Sequence, residues 1–329
     1  MTIALVQTIA GFLLLFVAGE LLVRGAVGIA DHLRLPPLIV GLTVVAFGTS
    51  LPELFVSVNA VLRGAGGLAI GNVVGSNIAN VWLILGASAL IAPIACSARR
   101  LSRNLVVMLA ASVLVIALSL DVELDRTDGL LLVTGLMLFL LWSLHYARRH
   151  PDAARDVLDF EQELGVDRLT LRRAVLYTFL GLLGLPFAAD WLVTGAVTIA
   201  RLLGVAEAVI GLTVVAIGTS LPELATSLMA ARKGHAAVAI GNVIGSNLFN
   251  LMAILGISAL AGRIPVPAAF LQLDFWVMLA ASAMLLVYTL PRRPIGRLSG
   301  LAMLGSYALY LGWLVYDGRS LTYLTGMHP

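Results

Sequence analysis

Apolar residues along this chain come in long blocks separated by short polar breaks, near 3–24, 37–62, 68–93, 104–120, 129–147, 174–200, 207–231, 237–261, 273–290 and 297–316. A helix needs about 20 apolar residues to cross about 30 Å of hydrocarbon, so each block is a candidate span. Lipid offers no water to an open backbone, which restricts spanning segments to helices and closed barrels. The leucine-rich, glycine-punctuated blocks lack the period-two alternation of a barrel strand. The pattern predicts an all-α polytopic membrane protein with ten transmembrane helices. Nothing basic precedes the first block and no small-residue cleavage site ends it, so residues 1–24 read as a retained helix and not as a signal peptide.

Composition agrees with this class. With 60% hydrophobic and 12% charged residues and a mean hydropathy of +1.00, 329 residues cannot hide their apolar side chains in a soluble core. The net charge of +3 does not point to nucleic acid, because the basic residues flank the membrane blocks. Arg99, Arg100, Arg103, Arg148, Arg149, Arg172, Arg173, Arg232, Lys233, Arg292, Arg293 and Arg297 fall in alternate loops, whereas Asp121, Glu123, Asp125 and Asp128 lie in a loop of the other set. The positive-inside rule therefore predicts both termini outside and the loop 148–172 in the cytoplasm of a plasma (inner) membrane protein. The single cysteine, Cys96, excludes an internal disulfide and reads as a small packing residue.

The stretch from Gly41 to Gly86 returns 170 residues later, from Gly211 to Gly256, with 28 of 46 positions identical. Five spans per half is an odd number, so the second half enters the membrane with the opposite polarity. The chain divides into a first five-helix repeat at 1–147, a linker loop at 148–172 and a second, inverted five-helix repeat at 173–329. In transporters built this way the substrate site lies near the bilayer midplane, where broken helices of the two halves meet.

The duplicated segment carries the chemistry. In GTSLPE, Pro52 and Pro222 lack an N–H and crowd the preceding turn, so spans two and seven should break around Gly48 to Leu51 and at the matching residues, turning freed carbonyls inward. Thr49, Ser50 and Glu53 lie within one turn, as do Thr219, Ser220 and Glu223. In spans three and eight, Ser76 and Asn80, and likewise Ser246 and Asn250, share a helical face. Gly71 with Gly75, and Gly241 with Gly245, have the spacing that lets helices approach closely. Asn72 and Asn242 read equally as braces or caps and as cation contacts.

No His, Cys or Met enters either motif, which favours a hard cation over zinc, copper or iron. Calcium takes 6–8 oxygens, and two bidentate glutamates with two threonine carbonyls reach roughly six. Two carboxylates neutralise one Ca²⁺, whereas three Na⁺ in the same place would leave one positive charge. A lone intramembrane glutamate can be purely structural, but one repeated in both copies beside proline and two hydroxyls marks a functional site. Glu20, four residues before Arg24, reads instead as half of an intrahelical ion pair. The aligned Asp190 faces Thr194 and has no predicted partner.

The paired GTSLPE and GNxxGSNxxN motifs resemble the alpha repeats of the sodium/calcium exchanger family, in the calcium:cation antiporter superfamily, and the resemblance covers the ten-helix chain. It implies that Glu53 and Glu223 are the central calcium ligands. It implies further that Thr49, Ser50, Thr219, Ser220, Ser76 and Ser246, with the carbonyls of Ala46 and Ala216, complete the calcium and sodium sites, and that spans one and six are sliding gate helices. Some family members carry Asp at one of the positions held here by Asn80 and Asn250, so this site has two formal charges and not three. No large cytoplasmic calcium-sensing domain is present, as in a minimal prokaryotic exchanger. The expected activity is antiport of Ca²⁺ against Na⁺, with H⁺- or K⁺-coupled exchange as the alternative. A channel is a weaker reading because one chain holds both halves. An enzyme is disfavoured because no nucleophile–base pair appears. The expected partners are Ca²⁺, Na⁺ and the bilayer, with no cofactor, nucleic acid or obligatory protein partner.

Overall fold

The computed structural model describes residues 1–33, 41–64, 66–96, 99–149, 169–202 and 216–316. Most of the loop expected at 148–172 and the first part of the block at 207–231 lie outside the described residues. Nearly everything described is helical. The first block forms α1 (Thr2–Leu33), longer than expected at its C-terminal end. The second is a π-helical turn (Gly41–Val45), α2 (Ala46–Thr49) and α3 (Leu51–Leu62). There follow α4 (Gly66–Ala79), a π turn (Asn80–Leu85) and α5 (Gly86–Ile91), then α6 (Arg99–Leu118) and α7 (Arg126–Arg149).

The second half begins with α8 (Leu171–Leu202), then α9 (Ala216–Thr219) and α10 (Leu221–Arg232). Next come α11 (Ala236–Leu248), a π turn (Phe249–Ile254) and α12 (Leu255–Ala261). A further π turn (Phe270–Asp274) leads into α13 (Phe275–Met284), followed by α14 (Leu286–Thr289) and α15 (Arg297–Tyr316). Among the described residues seven helices are long and apolar enough to cross a membrane, and the bent α2–α3 pair makes eight. The all-α expectation needs one small amendment. Two loops pair as two-residue strands, β1 (Glu123–Leu124) and β2 (Ile264–Pro265), and Ile94 bridges Ile295, tying the loops of the two halves together.

Burial separates a centre from a rim. The apolar cores of the spans Gly66–Ile91 and Ala236–Ala261 are 67% and 83% buried, against 28% for the spans of α1 and α8. The helices carrying the GNxxGSNxxN motifs are thus the innermost, with Ile70, Val73, Ile78, Val243, Ile244 and Leu255 in one packed core. Large apolar side chains such as Leu13, Phe55, Leu138, Phe179 and Leu309 point outward, which in a bilayer is the lipid-facing surface.

One close helix contact lies away from the Gly-x-x-x-Gly spacing. Among the described residues a Cβ on Gly75 would meet nothing within 4 Å, and one on Gly71 only the edge of Phe270 at 3.6 Å. The tight seam runs between α1 and α8. A Cβ on Gly11 would lie 2.5 Å from the backbone N of Leu192, one on Gly181 2.6 Å from that of Leu22, and one on Gly195 2.7 Å from that of Thr8. Gly25 faces Thr178 in the same way. Gly11 and Gly181, like Gly25 and Gly195, stand 170 residues apart, so the two halves contribute equivalent glycines to one seam. Small residues allow such backbone approach in lipid, where the hydrophobic effect does not drive helices together.

Candidate cation site

The proline breaks bring the GTSLPE motifs to the centre. The axis turns by 47° between Thr43–Thr49 and Leu51–Leu62, at Ser50, within the window expected from Pro52. Ser50 and Glu53 have the spacing of a capping box, in which both side chains would be consumed by backbone N–H groups. Neither Ser50 nor Ser220 makes a side-chain cap bond. The Ser50 N–H donates instead to the Ala46 carbonyl at 3.1 Å, so it is not the partner that a capping box would give the Glu53 carboxylate. The Ala46 carbonyl accepts the Ser50 N–H and lies 3.3 Å from Thr49 Oγ1. The acceptor that loses its helical donor to Pro52 is the Gly48 carbonyl. Ala216 opens α9 at the matching place.

The two halves meet through these side chains. Ser50 Oγ donates to Glu223 Oε1 at 3.0 Å, and Thr49 Oγ1 lies 3.4 Å from Asn242 Oδ1. Glu53 and Glu223 are each 1% exposed. Thr49, Ser50, Ser220, Ser76, Ser246, Asn80 and Asn250 are also buried, whereas Thr219 is half-buried. Six buried oxygens of this group, Glu53 Oε2, Glu223 Oε2, Ser220 Oγ, Ser246 Oγ, Asn80 Oδ1 and Asn250 Oδ1, have no hydrogen-bond partner among the described residues. A buried oxygen without a partner costs free energy. That cost falls on residues repeated in both copies. Carboxylate, amide and hydroxyl oxygens are the donor types suited to a hard cation.

Asn72 and Asn242 resolve as braces. Asn72 Nδ2 donates to the Glu53 carbonyl at 3.2 Å and to Ser57 Oγ at 2.9 Å; Asn242 Nδ2 donates to the Glu223 carbonyl at 3.4 Å and to Ser227 Oγ at 3.0 Å. Each clamps the broken helix of its own half to the following one.

A family model described as sodium/calcium exchanger protein matches the chain twice, over residues 3–145 and 173–316. The chain belongs to the sodium/calcium exchanger family. Its relatives include the sodium/calcium exchanger MaX1 of Methanosarcina acetivorans, 32% identical over 96% of this chain and 99% of that one. The inner membrane protein YrbG of Escherichia coli is 37% identical over 96% of this chain and 98% of that one. The solved structure of the sodium-calcium exchanger NCX_Mj superposes with a TM-score of 0.81 at 30% identity, covering 94% of this chain and 97% of that one. Family membership makes this exchanger-family chain a membrane cation antiporter, in agreement with the resemblance carried by its motifs.

Several residues of this exchanger-family site were not singled out by sequence. Ser57 and Ser227 anchor the braces, and Asn77 and Asn247 bond the site asparagines. All four recur at an offset of 170, and that recurrence was the available signal. Glu20 pairs with Arg24 at 2.7 Å as expected, and it also takes Lys233 at 2.9 Å, tying α1 to the end of α10. Its counterpart Asp190 is exposed and makes no ion pair among the described residues. Cys96 is buried and free, and burial pushes its thiol up to about 11, in keeping with a packing role.

Proposed function

We propose that the chain exports Ca²⁺ in exchange for Na⁺ by alternating access around one midplane site, built from ten spans arranged as two inverted five-helix repeats. In this reading both termini lie outside the plasma (inner) membrane. Glu53 and Glu223 supply the charge, Ser50, Ser220, Ser76, Ser246, Asn80 and Asn250 supply neutral oxygens, and the broken helices add carbonyls near Thr49 and Thr219. The observation that carries the reading is the hydrogen bond from Ser50 to Glu223 between the two motifs, together with six buried motif oxygens that lack partners among the described residues. One Ca²⁺ neutralises two carboxylates, and without a cation two carboxylates so enclosed cannot both stay ionised. Sodium ions can satisfy the same oxygens, and that competition couples the two fluxes. The sodium/calcium exchanger MaX1 is similar over nearly the whole chain, which supports Na⁺ as the coupling ion.

The test is Ca²⁺ uptake into proteoliposomes. Uptake at fixed pH is expected when Na⁺ is loaded inside and absent outside, and it should disappear in Glu53→Gln and in Glu223→Gln. Uptake that follows a proton gradient and ignores Na⁺ would replace the assignment with Ca²⁺/H⁺ exchange. Uptake that needs no counter-ion would indicate a channel.

A further inference from the structure

Four asparagines at the centre form a network whose polarity is fixed. Asn247 Nδ2 donates to the backbone carbonyl of Asn77 at 3.3 Å, and Asn77 Nδ2 donates to the backbone carbonyl of Asn247 at 3.4 Å. A backbone carbonyl can only accept, so each of these inner amides must turn its NH₂ toward the opposite half and its oxygen away. Those oxygens are used in turn. Asn247 Oδ1 accepts from Asn80 Nδ2 at 2.9 Å, and Asn77 Oδ1 accepts from Asn250 Nδ2 at 3.0 Å. With their NH₂ groups committed, the outer amides can present only oxygen to the site. Asn80 Oδ1 and Asn250 Oδ1 are buried and unpartnered.

We infer that Asn77 and Asn247 are positioning residues that fix the direction of the Asn250 and Asn80 amides, so that the site gains two neutral acceptors and no donor. The inference rests on the cation-site reading. Each half orients the amide of the other, because Asn247 serves Asn80 and Asn77 serves Asn250. Without the inner amide an outer Asn could rotate its NH₂ inward, where its positive hydrogens would oppose a cation. Asn77 and Asn247 touch no ion in this arrangement, so their effect must pass entirely through Asn250 and Asn80.

A double-mutant cycle tests this, using the purified full-length protein in nanodiscs and Ca²⁺ titrated by calorimetry. Asn247→Leu keeps the side-chain size and removes the polarity; it should weaken Ca²⁺ binding about tenfold, the scale of one hydrogen bond at a charged site. Asn80→Ala should weaken it to a similar extent. The double variant should bind within about twofold of Asn80→Ala, because a residue acting only through Asn80 has nothing left to orient. Losses that multiply in the double variant, or an Asn247→Leu protein that binds like wild type, would overturn the inference. Asn77→Leu with Asn250→Ala gives an independent cycle in the other half, with the same expectation, should Asn247→Leu fail to fold. Glu53→Gln separates the two levels. Wild-type binding that survives this change would overturn the cation-site reading and the inference with it; binding lost in Glu53→Gln but unmoved in both asparagine cycles would overturn the inference alone.

Discussion

Ser50 illustrates how one side chain can have two plausible jobs and perform the less obvious one. Its spacing from Glu53 fits a cap, yet its hydroxyl crosses to Glu223 at 3.0 Å. Ser50→Ala removes one hydrogen bond to a carboxylate and leaves both charges in place. It should raise the Ca²⁺ concentration for half-maximal Na⁺-driven uptake by about tenfold, well short of the loss expected from Glu53→Gln. Cys96 supplies a prediction on chemistry away from the site. With its thiol pushed up to about 11 by burial, it stays protonated at neutral pH, and the thiolate is the reactive form. Maleimide labelling at pH 7.5 should be negligible in the folded protein and go to completion in SDS. The acidic and hydroxyl residues were legible because each occurs twice at an offset of 170. Asn77 and Asn247 occur twice as well, but the direction of an amide is set by a backbone carbonyl from the other half, which no local pattern contains.

At the level of elements, the sequence located the helix break but did not announce the seam between α1 and α8. Pro52 cannot donate to the carbonyl one turn back, so a bend within Gly48 to Leu51 follows from its covalent structure, and the axis turns at Ser50. The Gly71 and Gly75 spacing carried no such necessity, because glycine spacing permits a close approach without requiring a partner. One tight seam joins α1 and α8, whose glycines are spread over two long helices with no short motif to announce them. Gly11→Ala would place its Cβ 2.5 Å from the Leu192 backbone N, which a rigid neighbour must yield to. That variant should lose about 1–3 kcal/mol, seen as a lower thermal midpoint in detergent. An unchanged midpoint for Gly11→Ala would contradict this assignment of the seam.

At the scale of the molecule, the duplication explains why a chain with two glutamates per site can make one site at all. Each half supplies a broken helix, a carboxylate and a brace, and the bonds between halves join them: Ser50 to Glu223, Thr49 beside Asn242, and the asparagine network. The membrane class was readable from hydropathy, and the pairing of the two halves from the repeat. Among the described residues seven or eight helical segments are of spanning length, and short helices such as α2 and α9 and the π turns divide what hydropathy reads as continuous blocks. The central claim is that Glu53 and Glu223 hold a single ion between them. Equilibrium ⁴⁵Ca²⁺ binding to the purified full-length protein, counted per chain, tests it most directly. The expected result is one Ca²⁺ per chain in the wild type, with binding weakened roughly a hundredfold or more in Glu53→Gln and equally in Glu223→Gln. Two Ca²⁺ per chain, with one retained at wild-type affinity in each single variant, would show two independent sites and contradict it.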